Sequence, residues 1–307
     1  MATLKAASHV RSIADKGLPA WGQALPLAAV FAVFFVVPLL LTVAVSFWNY
    51  SAYEIIPDFT LRNYHEAFEG CASRLISAAP ELCTTLKTYL TTLRIALSVW
   101  LITLLLGFAV AYFLAFHVRS LTVQIVLFLV CTIPFWTSNV IRMISWIPLL
   151  GRNGLVNQAL IKAHIVNAPL EWLLFSDFAV ILAFVHLYTL FMIVPIFNSM
   201  MRIDRALLEA AYDAGASGWQ ALWNVVIPLS KPGIVIGSIF VITIVMGDFV
   251  TVGVMGGQQI ASVGKVINTE MNALQFPPAA ANSVILLVAV LFIIWALTRL
   301  VDIRKEL

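Results

Sequence analysis

One carboxylate lies inside a long apolar segment of the sequence. Asp248 is the charged residue of the stretch 233–256, 15 positions after Gly233, or about 22 Å of helical rise. An ionisable group in the outer half of a membrane is costly and usually faces a partner or a water-filled cavity. A carboxylate suits a cationic solute, which it would hold by charge-assisted hydrogen bonds. A salt bridge with Arg142 is the alternative, and the sequence leaves both open.

Other residues could contribute to a solute path. Aromatic faces can hold an ammonium group, although tryptophan also belongs naturally at membrane interfaces. His186 falls in an apolar segment, where we expect an internally hydrogen-bonded histidine rather than a path residue. The candidates that accompany Asp248 are Trp136, Asn139, Arg142, Trp146 and Glu270.

The remaining sequence offers no catalytic or metal-binding pattern. The five histidines are scattered, without metal-ligand spacing. The nearest approach to a P-loop is GQQIASVGKV, where the glycine spacing is wrong and valine follows the lysine. The net charge of +3 does not indicate a basic surface that binds nucleic acid. We therefore expect no catalytic residue, metal or cofactor on this chain, and no nucleotide hydrolysis by it alone.

A polar segment, EAAYDAGASGWQALWNVVIPLSKPG (residues 209–233), lies between two apolar ones. Asp204 can cap a helix that begins at Arg205. Arg205 and Glu209, four positions apart, can pair on one face of that helix. Gly215 can then end the helix in a left-handed conformation. This pattern predicts a short helix followed by a tight turn.

A second helix is predicted directly after that turn. Ser217 and Gln220 have the spacing of a capping box. The helix would continue through Trp219 and be broken by Pro228 and Pro232 just before the next apolar segment. The product is two short helices at an angle.

Such a hairpin is suited to docking. Glu209 and Asp213 repel each other at i, i+4, and a cationic side chain from a partner would relieve that cost. Rigid turn chemistry would hold the docking side chains in place. The alternative is a hairpin lying on the membrane, with Trp219 and Trp223 anchored among lipid headgroups.

The elements that carry these residues are predicted to be membrane helices. Hydrophobic residues make up 62% of the 307 and charged residues 11%, against about 25% charged in soluble proteins. Mean hydropathy is +0.98. Runs near the ~20 residues needed to cross a bilayer predict an all-α integral membrane protein with six transmembrane helices, at 25–47, 95–118, 120–141 (extending towards Leu150), 178–201, 233–256 (interrupted at Asp248) and 282–300.

The distribution of lysine and arginine favours both termini in the cytoplasm. This orientation predicts a cytoplasmic tail at 1–24 and a transmembrane domain at 25–307. It places a loop at 48–91 in the periplasm and a loop at 202–232 in the cytoplasm. Cys71 and Cys83 lie in the 48–91 loop, where an oxidising compartment would allow a disulfide, although spacing alone leaves two free thiols possible.

The hairpin resembles the signature of binding-protein-dependent ABC transporter permeases. That signature is E-A-A, three residues, G, nine residues and an apolar-x-apolar-P ending. Here it reads Glu209-Ala210-Ala211, Gly215 and Val225-Val226-Ile227-Pro228. FTLRNYHEAF, PFWTSNVIRMISWIPLLGRNGLVN and GDFVTVGVMGG are similar to segments of the spermidine/putrescine subgroup.

The resemblance implies the fold, the partners and the action of the protein. It implies the six-helix fold of type I importer permeases, in the inner membrane of a bacterium. It implies a second permease subunit, two ATPase subunits that bind ATP and Mg²⁺, and a periplasmic solute-binding protein. The coupling residues it implies are Glu209, Ala210, Ala211, Asp213, Gly215, Ser217 and Trp219.

A polyamine is the solute that this subgroup implies, but the alternatives stay open. Aminoethylphosphonate, opine and ferric-iron permeases have similar segments. An ion-coupled secondary transporter is a different class, and it would leave the Glu209 hairpin unexplained. A membrane scaffold without solute flux is a third.

Overall fold

The structure, a computed structural model, describes residues 20–51, 54–69, 71 and 83–299. Most of the predicted tail at 1–24 therefore lies outside the described residues. Five described helices are long and apolar enough to cross a membrane, or six if a pair bent by 90° is one span. This agrees with the six predicted spans.

The described elements follow one another along the chain as helices, with one small hairpin of two strands. In chain order they are α1 (20–45, comprising Ala20–Phe31, Ala32–Val36 and Val37–Val45), β1 (Trp48–Tyr50), β2 (Ile55–Phe59), α2 (Arg62–Ala67), α3 (Thr84–His117), α4 (Leu121–Trp136), α5 (Asn139–Ile144), α6 (Ile147–Leu150), α7 (Leu155–Lys162), α8 (Asp177–Met200), α9 (Arg205–Asp213), α10 (Gly218–Gly247), α11 (Val250–Met255), α12 (Val263–Asn272) and α13 (Phe276–Arg299).

The segment between the first two spans is partly structured. Strands β1 and β2 pair antiparallel, with Tyr50 opposite Ile55. Cys71 and Cys83 form a disulfide whose Cα atoms are 4.8 Å apart. Helix α3 begins directly after it, at Thr84 rather than at residue 95. The second span is therefore longer than predicted and takes up the last part of the 48–91 loop.

The third span is not the straight helix that the sequence predicted. The chain bends by 90° between Leu121–Trp136 and Asn139–Lys162. Thr137 and Ser138 have extended ψ values of 149° and 134°, so the helical hydrogen bonds are interrupted there. Pro134, which cannot donate a backbone hydrogen bond, lies just before the bend. Hydropathy alone could not show the break because apolar residues continue through it.

The expected break at Pro228 and Pro232 was wrong, because α10 runs without interruption from Gly218 to Gly247. The N–H of Ile227 bonds to the carbonyl of Leu222, five residues earlier, which makes a wide turn of π-helix at Leu222–Val226. This wide turn comes just before Pro228, whose ring would clash with the fourth preceding carbonyl in a regular helix. The second helix of the hairpin and the fifth span are therefore one helix.

The core of the bundle is built around α8. Met192 is completely buried and lies between glycines of two neighbouring helices. A Cβ added to Gly107 of α3 would lie 2.8 Å from Met192 Cγ, and one added to Gly237 of α10 would lie 2.7 Å from its Sδ. Gly233 approaches even closer, since its Cβ would lie 2.4 Å from the carbonyl oxygen of Pro195. Small residues thus let α3, α8 and α10 pack at short distance, as in other membrane bundles.

The outer helices present apolar surface. Leu27 and Phe34 of α1 are 76% and 70% exposed. Such a surface is unstable in water and requires lipid or another subunit around it. The fold is therefore that of a membrane protein with one packed centre and an apolar exterior.

Candidate functional site

The hairpin between α8 and α10 has the predicted local geometry. Asp204 accepts a hydrogen bond from the N–H of Ala206 and caps α9. Gly215 has a φ of +85°, the left-handed conformation that favours glycine. Ser217 and Gln220 form both bonds of a capping box. These signals could be identified from the sequence because each depends on residues close to one another in the chain.

The hairpin keeps most of its side chains exposed. Glu209, Ala210, Asp213, Gly215, Ser217 and Trp219 are exposed, and Ala211 is half-buried. The rings of Trp219 and Trp223 meet edge to face, 5.7 Å apart. The predicted pairing of Arg205 with Glu209 was wrong, since no ion pair joins them among the described residues. Both are exposed, where the attraction between such charges is small against the entropy of holding them.

The hairpin is fixed to the bundle at both of its ends. Ile203, before α9, is 9% exposed, and Ala221 and Val226 of α10 are 2% and 1% exposed. On the bundle side, Gly233 donates its N–H to Ser199 Oγ at 3.1 Å. Buried residues therefore hold both ends of the hairpin, while its tip is exposed. Helix α10 runs without a break from this tip to Gly247.

The end of α10 is where Asp248 lies. The helix stops at Gly247, and Asp248 has an extended ψ of 115°. Its Oδ1 accepts from the N–H of Thr251 at 2.9 Å, and its Oδ2 accepts from the Thr251 hydroxyl at 2.8 Å. Asp248 therefore caps α11. The interruption that the sequence predicted at Asp248 in the fifth span is confirmed, because the helix ends there and a new helix starts.

Tyr188 is a part of this site that the sequence did not reveal. Its hydroxyl donates to Asp248 Oδ2 at 2.5 Å. The two residues are 60 positions apart, so no local spacing could have predicted the pair. The cap by contrast left a signal, because aspartate is among the residues preferred at the N-cap of a helix.

The end of α10 is also held by a close backbone contact. A Cβ added to Gly264, near the start of α12, would lie 2.7 Å from the carbonyl oxygen of Gly247. The N–H of Val263, also in α12, donates to Thr92 of α3 at 3.0 Å. Helices α3, α10 and α12 therefore meet beside Asp248, and a side chain at Gly264 would separate them.

Arg142 does not pair with Asp248, so the alternative ion pair was wrong. No salt bridge joins them among the described residues. Arg142 is 8% exposed and donates to Asn139 Oδ1, while its own Nε is buried without a partner. The Asp248 oxygens instead accept bonds from Tyr188 and Thr251.

The remaining path candidates are spread over different parts of the molecule. Trp136 is 83% exposed at the bend of the third span. Trp146 donates its indole N–H to His186 Nδ1 at 3.0 Å, which gives His186 the internal hydrogen bond that was expected. Glu270 lies on α12 and accepts two hydrogen bonds from Asn282 Nδ2. The structure therefore brings Arg142 together with Asn139 and leaves Glu270 and Trp136 apart from any contact with Asp248.

The whole bundle matches a known family. Residues 22–304 match the family described as "Binding-protein-dependent transport system inner membrane component". The spermidine/putrescine transport system permease protein PotB of Haemophilus influenzae is 31% identical over 93% of this chain and 97% of that protein. The protein of the same name from Escherichia coli is 33% identical over 72% of this chain and 81% of that protein.

Solved structures show the same fold. A chain of a bacterial ABC transporter involved in the import of the acidic polysaccharide alginate has a TM-score of 0.68 at 17% identity, with 91% of this chain and 93% of that chain covered. A second structure of an alginate transporter, in complex with an alginate pentasaccharide-bound periplasmic protein, has a TM-score of 0.64. Together with the matched residues 22–304, these findings establish that the chain belongs to the family of binding-protein-dependent transport system inner membrane components and is an inner-membrane permease subunit of an ABC importer.

Proposed function

We propose that this permease imports a polyamine of the spermidine or putrescine kind. The observation that carries the proposal is the similarity to PotB along nearly the whole of both chains, 93% and 97%. We propose further that a second permease subunit completes the path and that a periplasmic solute-binding protein delivers the solute. Two partner subunits bind ATP and Mg²⁺ and hydrolyse the nucleotide.

The exposed hairpin supports a role in coupling. Its tip carries the exposed carboxylates Glu209 and Asp213 beside the exposed ring of Trp219, a combination suited to a groove with basic and apolar groups. The cap of α9 and the capping box of α10 keep that tip rigid. We propose that it docks in the ATPase subunit, and that closure of the ATPase pair moves it.

The docking role requires a particular orientation. In it, both termini and the loop at 202–232 are cytoplasmic, and the loop at 48–91 is periplasmic. Accessibility of single cysteines introduced at Asp213 and Glu54 to a membrane-impermeant reagent tests this, since both positions are exposed. Labelling of the Asp213 position from outside intact cells would refute the coupling role.

Asp248 is proposed as a residue of the solute path. It lies at the break between α10 and α11 and is half-buried, and a carboxylate there can attract a cationic solute. Its bonds to Tyr188 and Thr251 give it a structural role as well. The two roles can be separated, because asparagine caps a helix about as well as aspartate does but carries no charge.

Uptake by the complete transporter tests the solute. Labelled spermidine and putrescine would be given to cells that lack their own polyamine uptake and express all subunits. We expect saturable uptake that an inactive ATPase subunit abolishes. Excess aminoethylphosphonate, an opine or ferric iron should not compete. Competition by one of these instead, or uptake driven by an ion gradient without the ATPase, would overturn the proposal.

The variant Asp248→Asn tests the path residue. We expect the half-saturating polyamine concentration to rise about tenfold or more, as for loss of a charged hydrogen bond, while the permease keeps its melting temperature. Thr251→Val is the matched control, since it removes one bond to the carboxylate and keeps the charge. Equal uptake by Asp248→Asn and the unaltered protein would exclude Asp248 from the path.

A further inference from the structure

A cavity of about 260 Å³ lies apart from both Asp248 and the hairpin. It is lined by residues of β1, α2, the start of α3, the helix α12 and the start of α13. Tyr89 of α3 donates to the carbonyl of Asn282 in α13 at 3.3 Å, which joins two of its walls. The opposite end of α3 lies near the hairpin. Gln124 Nε2 donates both to the carbonyl of Leu114, near that end of α3, and to the sulfur of Met201, just before α9. The cavity is therefore at the end of the bundle opposite to the hairpin.

The walls of this cavity are rich in hydrogen-bond acceptors. Two carboxylates, Glu66 and Glu270, are among its lining residues, and the described lining includes no lysine, arginine or histidine. Glu66 pairs with the exposed Arg62 of the same helix, a contact of small energy in water. The cavity therefore carries an excess of negative charge.

Of the two carboxylates that line the cavity, Glu270 is the one without a salt bridge among the described residues. Its two oxygens accept from Asn282 Nδ2 at 2.8 and 3.0 Å, and an amide donor carries no positive charge. Each oxygen of a carboxylate can accept more than one such bond. Glu270 is half-buried in the cavity wall, so a cation beside it would meet a partly desolvated charge. Because each of its oxygens can accept a further hydrogen bond, Glu270 keeps acceptor capacity for a ligand.

A third acceptor at the cavity is unpaired. Asn63 is 3% exposed and lines the cavity. Its Nδ2 donates to the carbonyls of Ser46 and Trp48, both at 2.9 Å, whereas its Oδ1 is buried without a partner. A buried acceptor without a donor costs free energy of about 1–3 kcal/mol. A donor supplied by a bound ligand would remove that cost.

These features favour an ammonium group over a metal ion. Among the described residues, no group of three or more histidine, cysteine or acidic side chains could hold a metal. The tyrosines Tyr50 and Tyr89 also line the cavity, and tyrosine rings attract ammonium groups. The volume is near the lower limit of small-molecule sites, which begins at about 300 Å³.

We propose that this cavity binds the ammonium group of a small primary amine such as putrescine, held by Glu270, Glu66 and Asn63. It is a second cation site of the permease, at the end where the solute would enter. The inference rests on the proposed function for the choice of solute, for the orientation that makes this the entry end, and for Asp248 as the first cation site.

Protonation of Glu270 should control this site. Burial raises its pKa, and the hydrogen bonds from Asn282 offset part of that rise. The titratable groups that line the cavity with it are Glu66 from α2, Tyr50 from β1 and Tyr89 from α3. Lys265, also on α12, lines a separate neighbouring pocket with Glu270. The carboxylate form binds the cation, so affinity should be lost as the pH falls through the raised pKa.

Direct binding tests the site. The complete transporter, without the solute-binding protein, would be placed in lipid nanodiscs and titrated with labelled putrescine. Glu270→Gln keeps an oxygen for the Asn282 bonds, and we expect it to weaken binding about 10- to 100-fold. Glu66→Gln should weaken it as well. The control Glu69→Gln changes an exposed carboxylate outside the cavity and should leave binding unchanged.

The possible results separate this site from the proposed function. Unaltered putrescine binding in both Glu270→Gln and Glu66→Gln, or none in the unaltered transporter, would overturn the site whatever the uptake data show. The same ammonium chemistry could come from a lysine of the solute-binding protein. If the variants lose only the docking of that protein and keep putrescine, the site for a free amine is wrong. Putrescine binding lost in these variants would support the site even if cells took up no polyamine.

Discussion

Replacing Gly215 should weaken docking of the ATPase through the backbone alone. Its φ is +85°, and a Cβ added there would meet no atom within 4 Å. Alanine therefore causes no clash. A residue other than glycine pays about 1–2 kcal/mol for the left-handed conformation, which corresponds to about a 5- to 30-fold change in an equilibrium constant.

That cost should appear in docking because Gly215 is exposed in the free permease. The free hairpin of Gly215→Ala can relax to another shape, and docking must restore the original one. The upper limit of the effect is therefore about 5- to 30-fold in affinity for the ATPase subunit. Asparagine tolerates the left-handed conformation better than alanine, so Gly215→Asn should lose less.

Gly218 is the matched control for this prediction. An added Cβ would also find no atom within 4 Å, but Gly218 begins α10 and has no positive φ. Gly218→Ala should therefore bind the ATPase as the unaltered permease does. The assay is a titration of labelled ATPase subunits onto the permease pair in nanodiscs, with the melting temperature as a check on the bundle. If Gly215→Ala docks as tightly as Gly218→Ala, the reasoning about this turn is refuted.

Three further predictions follow from close contacts elsewhere. Gly233→Ala places a Cβ 2.4 Å from the Pro195 carbonyl oxygen, so it should destabilise the permease by about 1–3 kcal/mol; an unchanged melting temperature would contradict that packing. Tyr188→Phe removes the donor to Asp248 and should also lower the melting temperature. If the freed carboxylate oxygen contacts the solute, the half-saturating polyamine concentration should fall in this variant. A rise in that concentration would argue against the contact. Burial raises the pKa of Glu270, so as the pH falls, putrescine binding in nanodiscs should be lost at a pH higher than the pKa of an ordinary glutamate, about 4.3. Glu270→Gln should remove that transition, and an identical pH profile would contradict the assignment.

Local signals in the sequence predicted local structure well. The span predicted at 178–201 is the helix Asp177–Met200, and the cap at Asp204 and the capping box at Ser217 are both present. Each of these features is decided within a few residues. The EAA pattern placed the chain in the correct family for the same reason.

Features that depend on distant residues could not be predicted in this way. The bond between Tyr188 and Asp248 joins positions 60 apart, and the cavity around Glu270 is closed by five separate elements. We predicted a break at Pro228 from the general tendency of proline to interrupt a helix. The wide turn at Leu222–Val226 overrode that preference. Only the folded chain shows which of two competing effects is larger.

The continuity of α10 gives the hairpin a physical connection to Asp248, the proposed residue of the solute path. The helix has 30 residues, about 45 Å at 1.5 Å per residue, from the exposed tip to the carboxylate of Asp248. Two separate helices joined by a proline hinge would absorb a displacement of the tip in the hinge. A single helix that packs against α8 at Gly233 and against α12 at Gly247 would instead transmit a displacement of the tip along its whole length. If Asp248 contacts the solute and the hairpin docks in the ATPase subunit as proposed, the site at Asp248, where α10 ends and α11 begins, is the place where movement of the ATPase should change the binding of the solute.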